Sequence, residues 1–562
     1  MTDSTTAEPA SPPHGMRRGW VLAALFALLF AFSFPPFGWW PLILLAPIPL
    51  AVLATTATRR RDWVLPIFVC STILWAWFHW WIIEVSVAGV IPLALYLACF
   101  TTGSAWLIRL LSRGSVRLPL WLTVPVVLTG LDFFRASIFL DGYPWYLFFQ
   151  PWIDLLPVVS LAWWGGGWLV GIWTGALSGL IAEVWCLRSK EAPRRTRILL
   201  WACGLVLAGV VLPVWPGRLW TSGNTGESLS VLAIQTNLPT DNKIGWTMER
   251  KLEDVPAFID QTVAGIEAAG GPAQVDLVVW PETMLPTVGF EFGDQFSQAI
   301  ELVVDRLQVP MLVGAPCYLG IREDDAEGWT WDEHYNSAYL ITPDGPPYDR
   351  VDKVFLTPFG ETMPVISNWM WLEQQLLAIG AAGMSFDLDA GEEIVRLEVP
   401  GRTIDGGEVP LVRVAVPICF EDTVPHVVHE MVWADDRRVV DLLINISNDG
   451  WFAGNDAGRA MHELCARWAA FSNYTPMLRV ANTGRTALIS SKGRLDDPVG
   501  PMRASWSHLF TIPVREGWTP AYAWVGDLFG WISLGGVVLC LVGKWCYTFV
   551  QQRPAGKPSD AT

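Results

Sequence analysis

Charge is scarce in this chain. Asp, Glu, Lys and Arg make up 16% of its 562 residues, against 52% hydrophobic side chains and a mean hydropathy of +0.34. Ordinary soluble domains carry about a quarter charged residues, so a purely cytosolic protein is excluded. Basic residues are the scarcer sign, 38 against 54 acidic, for a net charge of −16. That balance excludes a nucleic-acid partner, whose phosphates need a cationic face. No segment repeats at a fixed period of about 20 to 50 residues, which sets aside a solenoid. Cysteines number only nine, and Cys317, Cys419 and Cys465 alone fall in the acidic part of the chain. An odd count there leaves at least one free thiol.

What is abundant is tryptophan, 34 residues, and long apolar runs. The charge is also unevenly spread. Residues 216–521 hold 21 basic and 43 acidic side chains, a net of −22, and the rest hold 17 and 11, a net of +6. The chain is two materials. Seven apolar segments precede the acidic block, at about 19–34, 39–54, 63–83, 88–111, 118–131, 158–187 and 198–213, and an eighth, 523–550, follows it. Most approach the roughly 20 helical residues that span a hydrocarbon core; the first, second and fifth are short. Arg17 and Arg18 before an apolar run suggest a signal peptide, but Pro35, Pro36 and Phe37 follow where small residues would be cleaved. Gly165 to Gly167 lack the strand and the Lys-Ser/Thr partner of a nucleotide loop and predict close helix packing. Paired tryptophans at segment ends, such as Trp39, Trp40, Trp80, Trp81, Trp145, Trp152, Trp163 and Trp164, predict an aromatic belt at the membrane–water boundary.

Loop charges give the orientation. Basic clusters at Arg17–Arg18, Arg59–Arg61, Arg109–Arg117 and Arg188–Arg197, with Lys544, Arg553 and Lys557, occupy alternate loops and both tails. Arg135 is the exception. The positive-inside rule then places both termini in the cytoplasm and the acidic block outside. The expected division is a tail over 1–18, helices over 19–215, a catalytic domain over 216–521, a last helix over 522–550 and a tail over 551–562.

Within the acidic block, short Val- and Ile-rich runs alternate with polar helical stretches. Strands are expected at 229–236, 275–280, 310–315, 337–342, 394–399, 412–418, 442–447, 477–481 and 486–490, and helices at 248–269, 295–306, 424–433 and 457–471. Such alternation predicts a layered α/β domain. His462 and Cys465 lie one helical turn apart, but two ligand types at that spacing read as a helix face, not a metal site.

Three runs each deliver a reactive group from an apolar strand end: Val278–Glu282, Tyr348–Lys353 and Val414–Glu421. Buried strands of α/β domains present ligands where they end. A glutamate, a lysine and a cysteine so placed make an acyl-transfer set: a base for the thiol, an ammonium for the oxyanion, and a nucleophile. The order Trp280-Pro281-Glu282, Lys353 with Phe359-Gly360-Glu361 beyond it, Cys419-Phe420-Glu421, and Ser447-Asn448-Asp449-Gly450-Trp451-Phe452 resembles the carbon-nitrogen hydrolase (nitrilase) superfamily. With seven spans before and one after, the whole chain resembles the apolipoprotein N-acyltransferases of bacterial envelopes.

The resemblance implies a nitrilase-like αββα sandwich inserted in an eight-helix transmembrane domain. It implies Glu282 as general base, Lys353 as stabiliser of the tetrahedral intermediate and Cys419 as nucleophile, with Glu361 and Glu421 supporting. Trp246, Phe420 and Trp451 are expected at the substrate. Phe420 stands where the family usually has tyrosine, so a role for that hydroxyl is absent, though its backbone N–H can still serve an oxyanion. The implied reaction moves an acyl chain from a phospholipid, through a thioacyl-cysteine, to the α-amino group of a diacylglyceryl-cysteine on an apolipoprotein. No metal or organic cofactor is implied, and a monomer in the inner membrane, with its catalytic domain periplasmic, is expected. Residues 369–377 are apolar enough to act as arms dipping into the interface, or to pack on the domain. Two rival readings are a membrane-anchored amidase hydrolysing a small C–N substrate, which needs no eight spans, and a transporter, which needs more intramembrane charges than His79 and Glu183.

Overall fold

The computed structural model describes residues 14–84, 87–113, 117–187, 192–211, 227–239, 246–324, 328–364, 388–403, 411–514 and 518–551. The apolar stretch at 369–377 lies outside them.

Each expected apolar segment holds a helix: α1 (His14–Ser33), α2 (Pro47–Thr56, after the turn Leu42–Leu45), α3 (Val64–Phe78), α4 (Val87–Ser112), α5 (Leu120–Ser137), α6 (Ala162–Cys186) and α7 (Ala192–Val211). Past the acidic block comes Leu528–Gln551. Five of these eight, α1, α4, α5, α6 and Leu528–Gln551, are long and apolar enough to cross a membrane. The second segment is split because Pro47 cannot continue the hydrogen bonding of the turn before it. Helix packing runs through small residues. Added Cβ atoms at Gly175 and Gly179 of α6 would lie 2.6 Å from Pro125 Cα and 2.3 Å from the Leu120 carbonyl oxygen of α5. At Gly165 to Gly167, α6 kinks, with Gly166 at φ +64°, and an added Cβ at Gly165 would strike the Phe529 ring at 2.2 Å. The glycines therefore let backbones approach, as small residues do in membrane helices.

Among the described residues the acidic block forms two large sheets, beside two short two-stranded ones. The first contains β1 (Glu227–Gln235), β2 (Leu277–Val279), β3 (Met311–Leu319), β4 (Glu333–Ile341) and β5 (Asp349–Asp352); the second contains β6 (Leu397–Pro400), β7 (Leu411–Ala415), β8 (Leu442–Ser447), β9 (Met477–Ala481), β10 (Ala487–Ile489) and β11 (Leu495–Asp496). A final strand, β12 (Trp506–Pro513), returns to the first sheet and pairs antiparallel with all of β1 from Ser228 onward. The orders are β12-β1-β2-β3-β4-β5, with Arg402–Thr403 beside β1, and β11-β10-β9-β8-β7-β6. No run at 506–513 was expected from sequence. There Ser507 and His508 interrupt the apolar pattern, and pairing with β1 supplies what composition does not.

Parallel pairs β1-β2-β3 and β7-β8-β9 form the middle of each sheet, which explains their continuous apolar runs. Leu229, Val231 and Val279 of one sheet and Val414, Leu442 and Ile444 of the other share one buried apolar core. On the outer face of the first sheet lie α8 (Met248–Ala268) and α9 (Gln295–Leu307), through Phe258 and Ile300. On the outer face of the second lie α10 (Pro425–Val432) and α11 (Asp456–Asn473). The result is the αββα sandwich.

The helix layer of α10 and α11 is not solvent-facing. It shares one buried cluster with the membrane helices. Trp163 stacks on Phe471 at 5.0 Å and donates its indole N–H to the Phe471 carbonyl at 3.2 Å, and Trp468 donates to the Gln150 carbonyl at 2.9 Å. Trp81 and Trp145 pack on Phe452, and Arg467 pairs with Asp154. This corrects the belt expectation for part of the set. Trp39, Trp80 and Trp164 are exposed, but Trp145, Trp152 and Trp163 are buried, where their rings fill apolar space, and the Trp163 indole finds its acceptor in the Phe471 carbonyl. The last apolar helix, α12 (Leu528–Gln551), packs on α5 and α6.

Candidate active site

The site lies where the parallel strands of both sheets end. Glu282 follows β2, Lys353 follows β5, Cys419 follows β7, Asn448 follows β8 and Asn482 follows β9. Cys419 opens a helical turn, Cys419–Thr423, with φ +52°. A non-glycine residue in that region costs about 1–3 kcal/mol and persists only where surroundings force it. Here Asn445 Nδ2 donates to the carbonyls of Pro417 and Cys419 at 3.0 and 3.3 Å, and Ile418 bridges to Ile446. Thr283, just after Glu282, is also left-handed at φ +50°.

Glu282 is buried and held at both oxygens. Asn336 Nδ2 donates to Oε1 at 2.8 Å and the Asn448 N–H to Oε2 at 2.8 Å. The Lys353 ammonium, fully buried, donates to Glu361 Oε2 at 2.6 Å and to Thr357 Oγ1 at 3.3 Å. Burial alone would lower its pKa, but the Glu361 carboxylate, with Cys419 and Glu282, holds it above the ordinary lysine range. Glu361 in turn is kept ionised: burial pushes it up, and Lys353 and the Thr357 N–H bring it below the usual carboxylate value. Asn336 Nδ2 also reaches Glu361 Oε1 at 3.3 Å, joining the two glutamates.

The Cys419 thiol is pushed well above its ordinary pKa, first by burial and then by the Glu282 charge, while Lys353 opposes them. The Cys419 side chain is therefore a thiol at rest, and only a base beside it could draw off its proton. Glu282 and Lys353 both act on that sulfur, so the three sequence-derived residues converge.

Glu421 fastens two loops together. Its Oε1 accepts from the Val354 and Phe355 N–H groups at 2.8 and 2.9 Å, and its Oε2 from the Ile418 N–H at 2.7 Å. The stretch following Lys353 is thereby tied to the residue preceding Cys419. Burial raises Glu421 to about 7 against the pull of those three donors.

Residues 26–180 match the family model for the apolipoprotein N-acyltransferase N-terminal domain, and residues 237–496 match that for carbon-nitrogen hydrolase. An apolipoprotein N-acyltransferase of Geobacter metallireducens is 29% identical over 547 residues, covering 93% of this chain and 94% of that protein. The chain belongs to the apolipoprotein N-acyltransferase family. Apolipoprotein N-acyltransferases of Azotobacter vinelandii and Ralstonia nicotianae are 28% and 27% identical, covering 94% and 84% of this chain and 95% and 83% of their own lengths.

The three residues expected at substrate are placed differently from one another in this apolipoprotein N-acyltransferase family member. Trp246 stands before α8, its indole donating to Asp254 at 2.9 Å, and packs with the outer layer of the first sheet. Phe420 is buried and lies parallel to Phe355 at 6.4 Å, so its ring supports the loop after Lys353 from beneath. Trp451 is half-buried in the turn Asp449–Phe452, whose Phe452 reaches the membrane half. His462 and Cys465 do not act as a pair: the imidazole turns to Asp422 and Asp449, and the Cys465 sulfur accepts from Gln150.

Sequence reasoning missed the asparagines. Asn482 Nδ2 donates to Asn448 Oδ1 at 2.8 Å, and its own Oδ1 accepts from Thr236 and the Leu238 N–H, so it gathers the ends of β1, β8 and β9 under Glu282. Asn448 was visible inside Ser447-Asn448-Asp449. Asn336 sits in a strand with no motif around it, and a buried amide mid-strand was its signal.

Proposed function

We propose that this family member transfers an acyl chain from a phospholipid, through a thioacyl intermediate on Cys419, to the α-amino group of the N-terminal diacylglyceryl-cysteine of apolipoproteins. Glu282 takes the thiol proton as the sulfur attacks the acyl ester carbonyl. The Lys353 ammonium holds the oxyanion of the tetrahedral intermediate. Collapse expels the lysophospholipid alkoxide, which regains the proton from Glu282. The acceptor amine then attacks the thioester, Glu282 takes the amine proton and returns it to the leaving sulfur, and an amide and the free thiol result. Glu361 and Glu421 support the site, and Trp246, Phe420 and Trp451 border the substrate.

The observation that carries this reading is the raised Cys419 thiol with Glu282 and Lys353 both acting on it. A thiol that is protonated at rest needs the adjacent carboxylate, and the charge-paired lysine stays an oxyanion donor across the working pH range. Both substrates are anchored in lipid, which fits a catalytic domain fused through α10 and α11 to the membrane helices. The placement of basic loops supports termini in the cytoplasm and residues 216–521 in the periplasm, with the protein acting as a monomer in the inner membrane.

The test is the intact mass of the detergent-solubilised chain after incubation with phospholipid alone. One acyl adduct should form, map to Cys419 and be accompanied by lysophospholipid, and Cys419→Ala should lose both. An adduct that persists in Cys419→Ala refutes the nucleophile.

A further inference from the structure

Beneath the nucleophile lies a cluster of charges that none of these steps uses. His462, buried on α11, places Nδ1 2.8 Å from Asp449 Oδ1 and Nε2 2.9 Å from Asp422 Oδ1. Asp422 belongs to the turn that Cys419 opens, and Asp449 directly follows Asn448, whose N–H holds Glu282. His462 is thus bonded to the nucleophile's turn and to the base's turn at once. Arg479 of β9 closes the cluster, its guanidinium 3.1 Å from both Asp449 oxygens and its Nε 4.0 Å from Asp422 Oδ2. The joint presses on it from the other side, where the Trp145 ring lies 5.8 Å from the imidazole.

We propose that His462, as an imidazolium between Asp422 and Asp449, is a positioning residue for acyl transfer that keeps the turns of Cys419 and Glu282 in register and neutralises the buried charge beneath them. The inference rests on the assignment of Cys419 and Glu282 made above.

Two arguments carry it. Both ring nitrogens face carboxylate oxygens, so both must donate, and a neutral ring has only one N–H. Two carboxylates, one guanidinium and one imidazolium also sum to zero, whereas a neutral ring leaves a buried negative charge. Asp449 already acts on the Cys419 thiol in the direction that keeps it protonated, so an unbalanced charge there opposes thiolate formation and the oxyanion that follows. Burial lowers the imidazole, but Asp422 and Asp449, opposed by Arg479, hold it up at about 9. Asp449 is kept well below the ordinary carboxylate range: burial raises it, and Arg479 and His462 outweigh that. The further charged groups about the cluster are Arg459, bonded to Asp456, and Glu463, bonded to Arg485, both on α11 itself. Cys465, one turn on, is held as a thiol by burial and then by the Asp422 charge, with Arg479 opposing.

The experiment is single-turnover formation of acyl-Cys419 by the full chain in mixed micelles of phosphatidylethanolamine, read by mass spectrometry across the alkaline range. A simple thiol nucleophile accelerates as pH rises. The wild-type rate should instead fall by about tenfold per unit above about pH 9 as the imidazolium loses its proton. His462→Gln should react about 100-fold more slowly at neutral pH, the order expected when reacting groups shift by an ångström, with an unchanged half-saturating phospholipid concentration and no alkaline fall. A wild-type rate at His462→Gln overturns the proposal, and so does a wild-type profile without the alkaline fall, which decides the matter even if the variant does not fold. Absence of any adduct on wild-type Cys419 overturns the nucleophile assignment itself, a failure distinct from either.

Discussion

Glu361→Gln probes the site where its energetics are most concentrated. The Lys353 side chain has no exposure and its ammonium lies 2.6 Å from Glu361 Oε2, whose own side chain is 16% exposed. Removing one partner of a buried ion pair costs about 3–5 kcal/mol, because the other charge stays behind uncompensated. Glutamine keeps a carbonyl for Nζ and for the Thr357 N–H, and Thr357 Oγ1 remains 3.3 Å away, so the cost belongs at the low end, about 3 kcal/mol. The chemical effect has a different signature. Glu361 is the largest influence holding the lysine charged against burial. Without it burial prevails, the Lys353 pKa drops, and the ammonium is lost as pH rises. An oxyanion donor is worth about 100- to 1,000-fold in rate, so acyl-Cys419 formation should slow by about that factor at mildly alkaline pH and recover in part toward pH 6. Thermal unfolding in detergent measures the first effect and single-turnover mass spectrometry the second. Wild-type stability with a wild-type pH profile would refute the argument that Glu361 sustains the Lys353 charge.

Gly179→Ala puts a Cβ 2.3 Å from the Leu120 carbonyl oxygen and 2.9 Å from Trp121 Cα, so α5 and α6 must separate. A loss of about 1–3 kcal/mol is expected, read as a lower unfolding temperature with the acylation rate per folded molecule unchanged. Trp163→Ala removes the stack on Phe471 and the bond to its carbonyl, which should cost about 3–5 kcal/mol and expose the joint between α6 and α11 to limited proteolysis. If cleavage there is no faster than in wild type, Trp163 does not hold the halves together.

Much of the fold was legible because buried elements leave a periodic trace. The eight apolar runs are helices, and the Val- and Ile-rich segments at 229–236, 412–418, 442–447 and 477–481 became central strands, since parallel strands covered on both faces must be apolar throughout. The strand Trp506–Pro513 left no such trace: it lies at the edge of its sheet, and its partner is nearly 300 residues away in sequence. The split of the second apolar segment at Pro47 was local information, and the kink at Gly165 and Gly166 was only half so, because glycine permits that backbone but Phe529 and Tyr522 require it.

The candidate site divides in the same way. Sequence alone determined that this is a membrane protein with an α/β domain, and which glutamate, lysine and cysteine to examine, because each stands at the end of an apolar run where reactive groups are presented. It also determined the unevenness of charge, 16% overall but concentrated as a net −22 in one block. Only the tertiary structure decided what surrounds those three residues. Asn336, Asn448 and Asn482 hold Glu282 and the strand ends, Glu421 ties two loops, and His462 and Arg479 balance Asp422 and Asp449. These partners come from β4, from the ends of β7, β8 and β9, and from one helix, far apart in sequence. A buried polar group must find a partner wherever the fold brings one, so its meaning is set by distance in space and cannot be read from spacing along the chain.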